Sequence, residues 1–208
     1  MSALSPFFET LHTTLSNSWP MLTLFIVILV VIKIAQIIMN KEKIIFYKEV
    51  YNLLMIIYIL LLYQMLLSTE NATSGINMVP FKEITRYEIG SKLFYYNVIG
   101  NIALFIPFGY FISDKLRAQK TSQIIYTSAI ISLTAELIQY KIGRAFDIDD
   151  VLLNVTGAIL GFMLYISIQA IKRHLPKTLQ NNIFYNILSI IVLLLIVLIF
   201  GSIWGIIL

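Results

Sequence analysis

Side chains that could do chemistry are concentrated between Asn97 and Ile171, in a sequence that is otherwise strongly apolar. Ionisable groups are costly in apolar surroundings, so they mark either a functional site or a paired structural one. We predict one polar functional cluster, made of Asn97, Asn101, Glu136, Gln139, Arg144, Asp147, Asp150 and Asn154.

The residue types in this cluster limit the chemistry. A carboxylate whose pKa is raised by burial can act as a general acid or base. An arginine beside it suits a phosphate or carboxylate group of a substrate. Carboxylates at 136, 147, 149 and 150 could also hold a hard cation, but their spacing singles out no metal, and we predict neither a metal site nor a cofactor. The sequence has no nucleophile elbow, no glycine-rich phosphate loop and no H-E-x-x-H.

Structural explanations of the same residues remain open. Asp147 and Asp150 could cap a helix and favour its dipole. Glu136 could pair with Arg144 or Lys141, and Asn101 with Asn154, so that hydrogen bonds join the helices. For Glu136 with Arg144 we favour a functional site, because a buried ion pair adds little stability by itself.

The composition identifies the class of protein. Of 208 residues, 59% are hydrophobic and 12% charged, and the mean hydropathy is +0.85, which departs from a soluble composition. Cysteine is absent, which excludes disulfides and thiol chemistry. His12 and His174 are far apart, and we expect them at the surface. The charge of +4 comes from basic residues in the breaks between apolar runs, so no nucleic-acid partner is predicted.

Apolar runs near the roughly 20 residues of a spanning helix predict an all-α, polytopic transmembrane bundle. Trp19-Pro20 is expected to anchor and begin the first helix, and Lys33, near its far end, to reach the headgroups. We divide the chain into a tail, first helix and basic loop (1–49), a four-helix core (50–171) and a basic loop with the last helix (172–208). The six predicted spans cover residues 21–39, 50–67, 93–113, 123–140, 149–171 and 183–207.

The distribution of basic residues predicts the orientation. With six spans, the breaks on one side carry nine Lys and Arg residues and those on the other carry five. The positive-inside rule then places both termini and the polar cluster outside the cytoplasm, in a multi-pass membrane protein. The N-terminus does not resemble a cleaved signal peptide.

Helix geometry explains why the cluster should converge. At about 1.5 Å rise per residue, Asn101, Asn154 and Glu136 lie at a similar depth below the outer helix ends. The loop from 141 to 150 then lies over that layer.

Pro107 and Gly109 are expected to loosen the third span. Gly157 and Gly161 form a G-x-x-x-G for close helix packing. The long break at 68–92 is either functional or an interfacial dip.

Four segments in order resemble the VanZ-like family of bacterial membrane proteins. They are NMVPF (77–81), NVIGNIALFIPFGY (97–110), ELIQ (136–139) and GRAFDIDDVLLNVTGAILG (143–161). The resemblance extends from the second span to residue 171, and the first and sixth spans lie outside it. The positions it carries over are Pro80, Phe81, Asn97, Asn101, Pro107, Gly109, Glu136, Gln139, Arg144, Asp147, Asp150, Asn154, Gly157 and Gly161.

The resemblance implies a role in the cell envelope. The founding member is similar to an accessory factor that gives low-level resistance to teicoplanin-type glycopeptides without remodelling the peptidoglycan precursor. The implied partners are the lipid bilayer and either a glycopeptide or a lipid-linked envelope precursor. The alternative function is an intramembrane enzyme or carrier for an anionic or lipid-linked substrate, with Glu136 as acid or base and Arg144 as anion clamp. A third is a structural protein whose cluster joins helices.

Overall fold

The computed structural model describes residues 5–40, 44–66 and 75–203, and they form an almost wholly helical protein. The predicted fold class, an all-α membrane bundle, is confirmed. The long helices are α1 (Ser5–Asn40), α2 (Phe46–Leu66), α4 (Gly100–Leu116), α5 (Thr121–Lys141), α6 (Ile148–His174) and α7 (Asn182–Ile203). A short helix α3 (Lys92–Phe94) and a π-helical turn (Tyr95–Ile99) run directly into α4. The strands β1 (Ile76–Asn77) and β2 (Phe146–Asp147) have two residues each.

Within the described residues, four helical stretches are long and apolar enough to cross a membrane: Ser16–Met39, Phe46–Leu66, Lys92–Leu116 and Ile148–His174. The described part of α7 that is apolar, Asn182–Leu198, is shorter. The remaining long helix, α5, is less apolar than these four because it carries serine, threonine, glutamine and glutamate side chains.

The two faces of α5 are reversed compared with a soluble helix. Its buried side includes Ser128, Ser132 and Glu136, whereas Ile130 and Leu137 are exposed. A soluble helix buries its apolar stripe and exposes its polar one. This reversal favours apolar surroundings for α5 and therefore supports its place among the six predicted spans.

The predicted start of the first helix is wrong. Helix α1 begins at Ser5, and Pro20 lies inside it. Proline removes one helical hydrogen bond, but membrane helices tolerate this loss where other groups satisfy the freed carbonyl. The turn signals at 71–74, part of the basic break at 41–43, and the predicted ends of the second and last spans at 67 and 207 lie outside the described residues.

The chain divides into two compact units, of which the second contains residues 15–60 and 170–208. Inside it, Lys33 forms an ion pair with Glu49 of α2, with Nζ 3.1 Å from Oε1. The prediction that Lys33 reaches the headgroups missed this partner. The side chain of Asn186 on α7 accepts a hydrogen bond from the amide of Tyr47, which joins the start of α2 to α7.

The first unit contains residues 1–14 and 61–169. In it, α4 and α6 approach each other at glycines. A Cβ atom on Gly109 would lie 2.1 Å from the carbonyl oxygen of Ala158, and one on Gly161 would lie 2.1 Å from that of Ile106. Backbone contact of this kind requires residues without side chains. Helix α4 continues through Pro107, and the irregular stretch is the π-helical turn about two to three turns earlier.

A short parallel strand pair joins the two loops of the first unit. Ile76 pairs with Phe146 and Asn77 with Asp147. The first segment of the family pattern is therefore held against the loop between α5 and α6. This pairing was not predicted, because a two-residue bridge has no measurable periodicity.

Candidate functional site

One polar cavity of about 500 Å³ lies within the first unit, and all its lining residues belong to 61–169. It is partly open, and it is formed by the ends of α2, α4, α5 and α6 together with the 75–87 segment. The eight residues of the predicted cluster all line it: Asn97, Asn101, Glu136, Gln139, Arg144, Asp147, Asp150 and Asn154.

Glu136 is the most deeply placed carboxylate that lines the cavity, with 2% of its surface exposed. Its Oε2 accepts a hydrogen bond of 2.9 Å from the amide of Asp147. This bond ties α5 to the start of α6 and leaves further acceptor capacity on the carboxylate, which has about four lone-pair sites. These two residues are only eleven positions apart in the sequence, and they come into contact because the chain reverses direction immediately after α5.

Gly143 makes that reversal possible. Its φ is +93°, in the left-handed region that favours glycine. The amide of Gly143 donates to the carbonyl of Tyr140, and the amide of Arg144 donates to that of Gln139. This is the Schellman arrangement that ends a helix. It turns the chain so that Arg144 comes to the cavity.

Gln139 and Arg144 share an acceptor at the end of α2. The carbonyl of Leu66 accepts from Nε2 of Gln139 at 2.6 Å and from a guanidinium nitrogen of Arg144 at 3.2 Å. The last carbonyls of a helix lack partners within the helix. Both side chains therefore supply hydrogen-bond donors to a carbonyl at the end of α2. Both also line the cavity.

Asp150 is bonded to the neighbouring helix. Its Oδ1 accepts a hydrogen bond of 2.7 Å from the side-chain amide of Asn101. Asn97, one turn before Asn101, donates instead to the carbonyl of Leu93 in its own helix. Asn97 belongs to the π-helical turn, a distortion that occurs frequently at functional sites.

The suggested pair of Asn101 and Asn154 does not form. Asn154 donates from Nδ2 to Oγ of Ser132 on α5, at 2.9 Å, because Asp150 occupies the position beside Asn101. Asn154 is 3% exposed, and its Oδ1 accepts no hydrogen bond from any residue within the described ranges. A buried carbonyl oxygen without a donor is uncommon and requires an explanation.

Asp147 caps α6 and also lines the cavity. Its Oδ1 accepts from the amide of Asp149 at 2.9 Å and from the side chain of Asn77 at 3.0 Å. Burial raises the pKa of the Asp147 carboxyl, and these two hydrogen bonds oppose the increase. The capping explanation therefore holds for Asp147, whereas Asp150 forms its hydrogen bond with Asn101 of another helix.

Several lining residues were missed by the sequence analysis. Asn77, within the NMVPF segment, could have been selected from the family pattern. The other charged and aromatic ones lie in the 82–96 region, where no periodicity indicates which side chains point to a common site: Lys82, Glu83, Arg86, Tyr87 and Tyr96. Burial raises the pKa of Tyr87, and the charge of Glu83 adds to the increase.

The cavity is suited to a polar ligand with charges of both signs. Carboxylates and amides provide acceptors, and Arg144 and Lys82 provide cationic donors. Across 5–40, 44–66 and 75–203, no three His, Cys, Asp or Glu side chains are arranged as metal ligands.

The family model described as VanZ/LLP1 matches residues 21–175, which is more than half of the chain and contains every residue that lines the cavity. The chain belongs to the VanZ/LLP1 family. The matched region of the VanZ/LLP1 model begins at residue 21, so it includes the first predicted span, which the four sequence segments had left outside. Neither a curated protein nor a solved structure matches the chain.

Proposed function

We propose that this VanZ/LLP1 protein is a multi-pass protein of the bacterial plasma membrane that holds a polar ligand of the cell envelope in its cavity. Occupation of the site lowers the access of teicoplanin-type glycopeptides to the membrane or cell wall. One observation carries the proposal: all eight polar cluster residues, from three helices and a loop, line one open cavity of about 500 Å³. Residues that only joined helices would not need to enclose open space.

The extracytoplasmic position of the cavity is part of the proposal. It depends on the excess of Lys and Arg in the breaks after the predicted spans one, three and five. On that side of the membrane the cavity can meet both envelope precursors and glycopeptide drugs.

The first experiment removes the gene and restores it with variants of the cavity. We expect deletion to increase teicoplanin susceptibility and the surface binding of fluorescently labelled drug. The unaltered gene should restore both to their original values. Arg144→Gln should fail to restore them, because the cavity loses its most buried cation. Arg173→Gln, an exposed arginine that does not line the cavity, is the matched control. An unchanged phenotype after deletion would remove the glycopeptide role.

The second candidate function is an intramembrane enzyme or carrier that acts on an anionic or lipid-linked envelope substrate. The observation in its favour is that Glu136, although 2% exposed, lines the same open cavity as Arg144. In this function Arg144 binds the anionic group and Glu136 transfers a proton.

Glu136→Gln distinguishes the two functions. Glutamine keeps the acceptor for the amide of Asp147 but cannot exchange a proton at neutral pH, so the enzyme or carrier function predicts loss of activity while the protein accumulates normally in the membrane. The ligand-holding function predicts partial retention of the phenotype. Glu88→Gln, at an exposed glutamate that does not line the cavity, is the control.

A further inference from the structure

One of the residues that line the cavity carries a buried acceptor without a donor. Oδ1 of Asn154 belongs to a side chain that is 3% exposed and lines the cavity, and no described residue donates to it. The amide nitrogen of the same side chain is already used by Ser132. A ligand that supplies a donor would satisfy this oxygen.

Two carboxylates accompany this oxygen in the cavity wall. Asp150 precedes Asn154 by four residues on α6, so both lie on one helix face. Glu136 faces the same cavity from α5. The hydrogen bonds that Asp150 accepts from Asn101 and that Glu136 accepts from Asp147 use only part of the lone pairs of each carboxylate. This wall therefore presents hydrogen-bond acceptors from two carboxyl groups and one side-chain amide.

A primary ammonium group matches the three acceptors. It has three N–H donors and no acceptor, whereas a hydroxyl has one donor and two acceptor lone pairs. Its positive charge is complementary to the two carboxylates. Tyr87 and Tyr96 also line the cavity, and aromatic rings attract cations. The described residues provide no three-ligand metal group that would compete for this position.

We infer that Glu136, Asp150 and Asn154 form a subsite for the primary ammonium group of a lipid headgroup whose phosphate is bound by Arg144. This inference rests on the proposed function, since it names the chemical class of the envelope ligand. The ligand is an amino-phosphate lipid of the phosphatidylethanolamine type. The phosphate would contact the guanidinium, which binds such groups through paired donors.

The test measures lipid binding to the purified full-length chain in detergent by native mass spectrometry. The probes are phosphatidylethanolamine, phosphatidylcholine and phosphatidylglycerol with identical acyl chains. Phosphatidylcholine keeps the charge of the amine but has no N–H donors, and phosphatidylglycerol replaces the amine with hydroxyls. We expect roughly tenfold tighter binding of phosphatidylethanolamine than of the other two, as for the loss of a charged hydrogen bond.

Variants locate the preference. Asn154→Leu and, separately, Asp150→Asn should reduce the ratio of phosphatidylethanolamine to phosphatidylcholine binding toward one. Thr156→Val, on the exposed side of α6, should leave the ratio unchanged. A structural role of Asn154 would instead weaken all three lipids equally, and this result would overturn the inference.

The outcomes separate the inference from the proposed function. Binding of all three lipids without preference, but with dependence on Arg144, overturns the ammonium subsite and leaves the envelope ligand site in place. Equal binding of phosphatidylglycerol and phosphatidylethanolamine that depends on Asn154 assigns the oxygen to a hydroxyl and also overturns the ammonium assignment. Absence of binding by every lipid overturns both proposals.

Discussion

The carboxylate of Asp149 accepts a hydrogen bond of 2.7 Å from the backbone amide of Glu83. The amides of Phe81 and Ile84 donate to the same carboxylate, which is 1% exposed. Phe81 has a φ of +66°, which brings these amides into a concave group that binds an anion. The first turn of α6 thereby fixes the segment that carries Lys82 to the cavity.

We expect Asp149→Asn to release this segment. The asparagine nitrogen would face at least one backbone amide, and a buried donor without an acceptor costs about 1–3 kcal/mol of unfolding free energy. Hydrogen exchange measured by mass spectrometry should become faster in the peptide that contains residues 81–84. Asp114→Asn, a partly buried aspartate at the end of α4, serves as the control. Unchanged exchange in the Asp149 variant would show that the three hydrogen bonds do not hold the loop.

Close approach of α4 and α6 makes Gly157 intolerant of a side chain. A Cβ atom there would lie 2.2 Å from the carbonyl oxygen of Ile102, so the helices must separate. We expect Gly157→Ala to lower the unfolding free energy by about 1–3 kcal/mol, seen as a lower thermal midpoint in detergent. Gly75→Ala has no atom within 4 Å of its new Cβ and should leave the midpoint unchanged. Equal midpoints for both variants would contradict the packing.

Glu136 and Arg144 each form a hydrogen bond with a backbone atom of opposite polarity, so exchanging the two side chains should not restore function. Glu136 accepts from the amide of Asp147, and Arg144 donates to the carbonyl of Leu66. In the double variant Glu136→Arg and Arg144→Glu, each group would face a backbone atom of the wrong polarity. We expect drug susceptibility and protein level to match the single variants. Recovery in the double variant would support a simple ion pair that joins helices.

The stability of the protein should depend on pH through Asp147. Its folded-state pKa is raised by burial above the ordinary value near 3.8, so between those two values the folded state binds more protons than the unfolded state. The contribution of Asp147 to the free energy of unfolding is therefore fully present below the ordinary pKa. It is lost as the pH rises through the raised pKa of the folded state. Asp147→Asn should flatten the pH dependence of the thermal midpoint in that range, whereas Glu88→Gln should not. A steeper dependence in Asp147→Asn would contradict the assignment.

The absence of cysteine makes the predicted orientation directly testable. We expect a single cysteine in Lys141→Cys to react with a membrane-impermeant maleimide in intact cells. A cysteine in Lys120→Cys, at the opposite end of α5, should react only after the cells are permeabilised. The reverse pattern would place the cavity in the cytoplasm and end the proposed contact with glycopeptides.

The sequence by itself determined the membrane class, the helices and the residues that meet at the cavity. Long apolar runs and the 3.6-residue period are local properties, and they place Asn101, Glu136 and Asn154 at a common depth without knowledge of the packing. The four motif segments likewise indicated the family that the VanZ/LLP1 match establishes. A proline can begin a helix or lie inside one, and the prediction that Pro20 begins the first helix was wrong.

Only the tertiary structure decided the partners of each polar group. Asp149 binds amides 65 to 68 residues away, Gln139 binds the end of α2, and Asn154 binds Ser132 instead of Asn101. A hydrogen bond depends on distances of tenths of an ångström between segments that the packing brings together. No pattern along the chain encodes those distances. The same packing leaves the carbonyl oxygen of Asn154 without a donor beside the cavity.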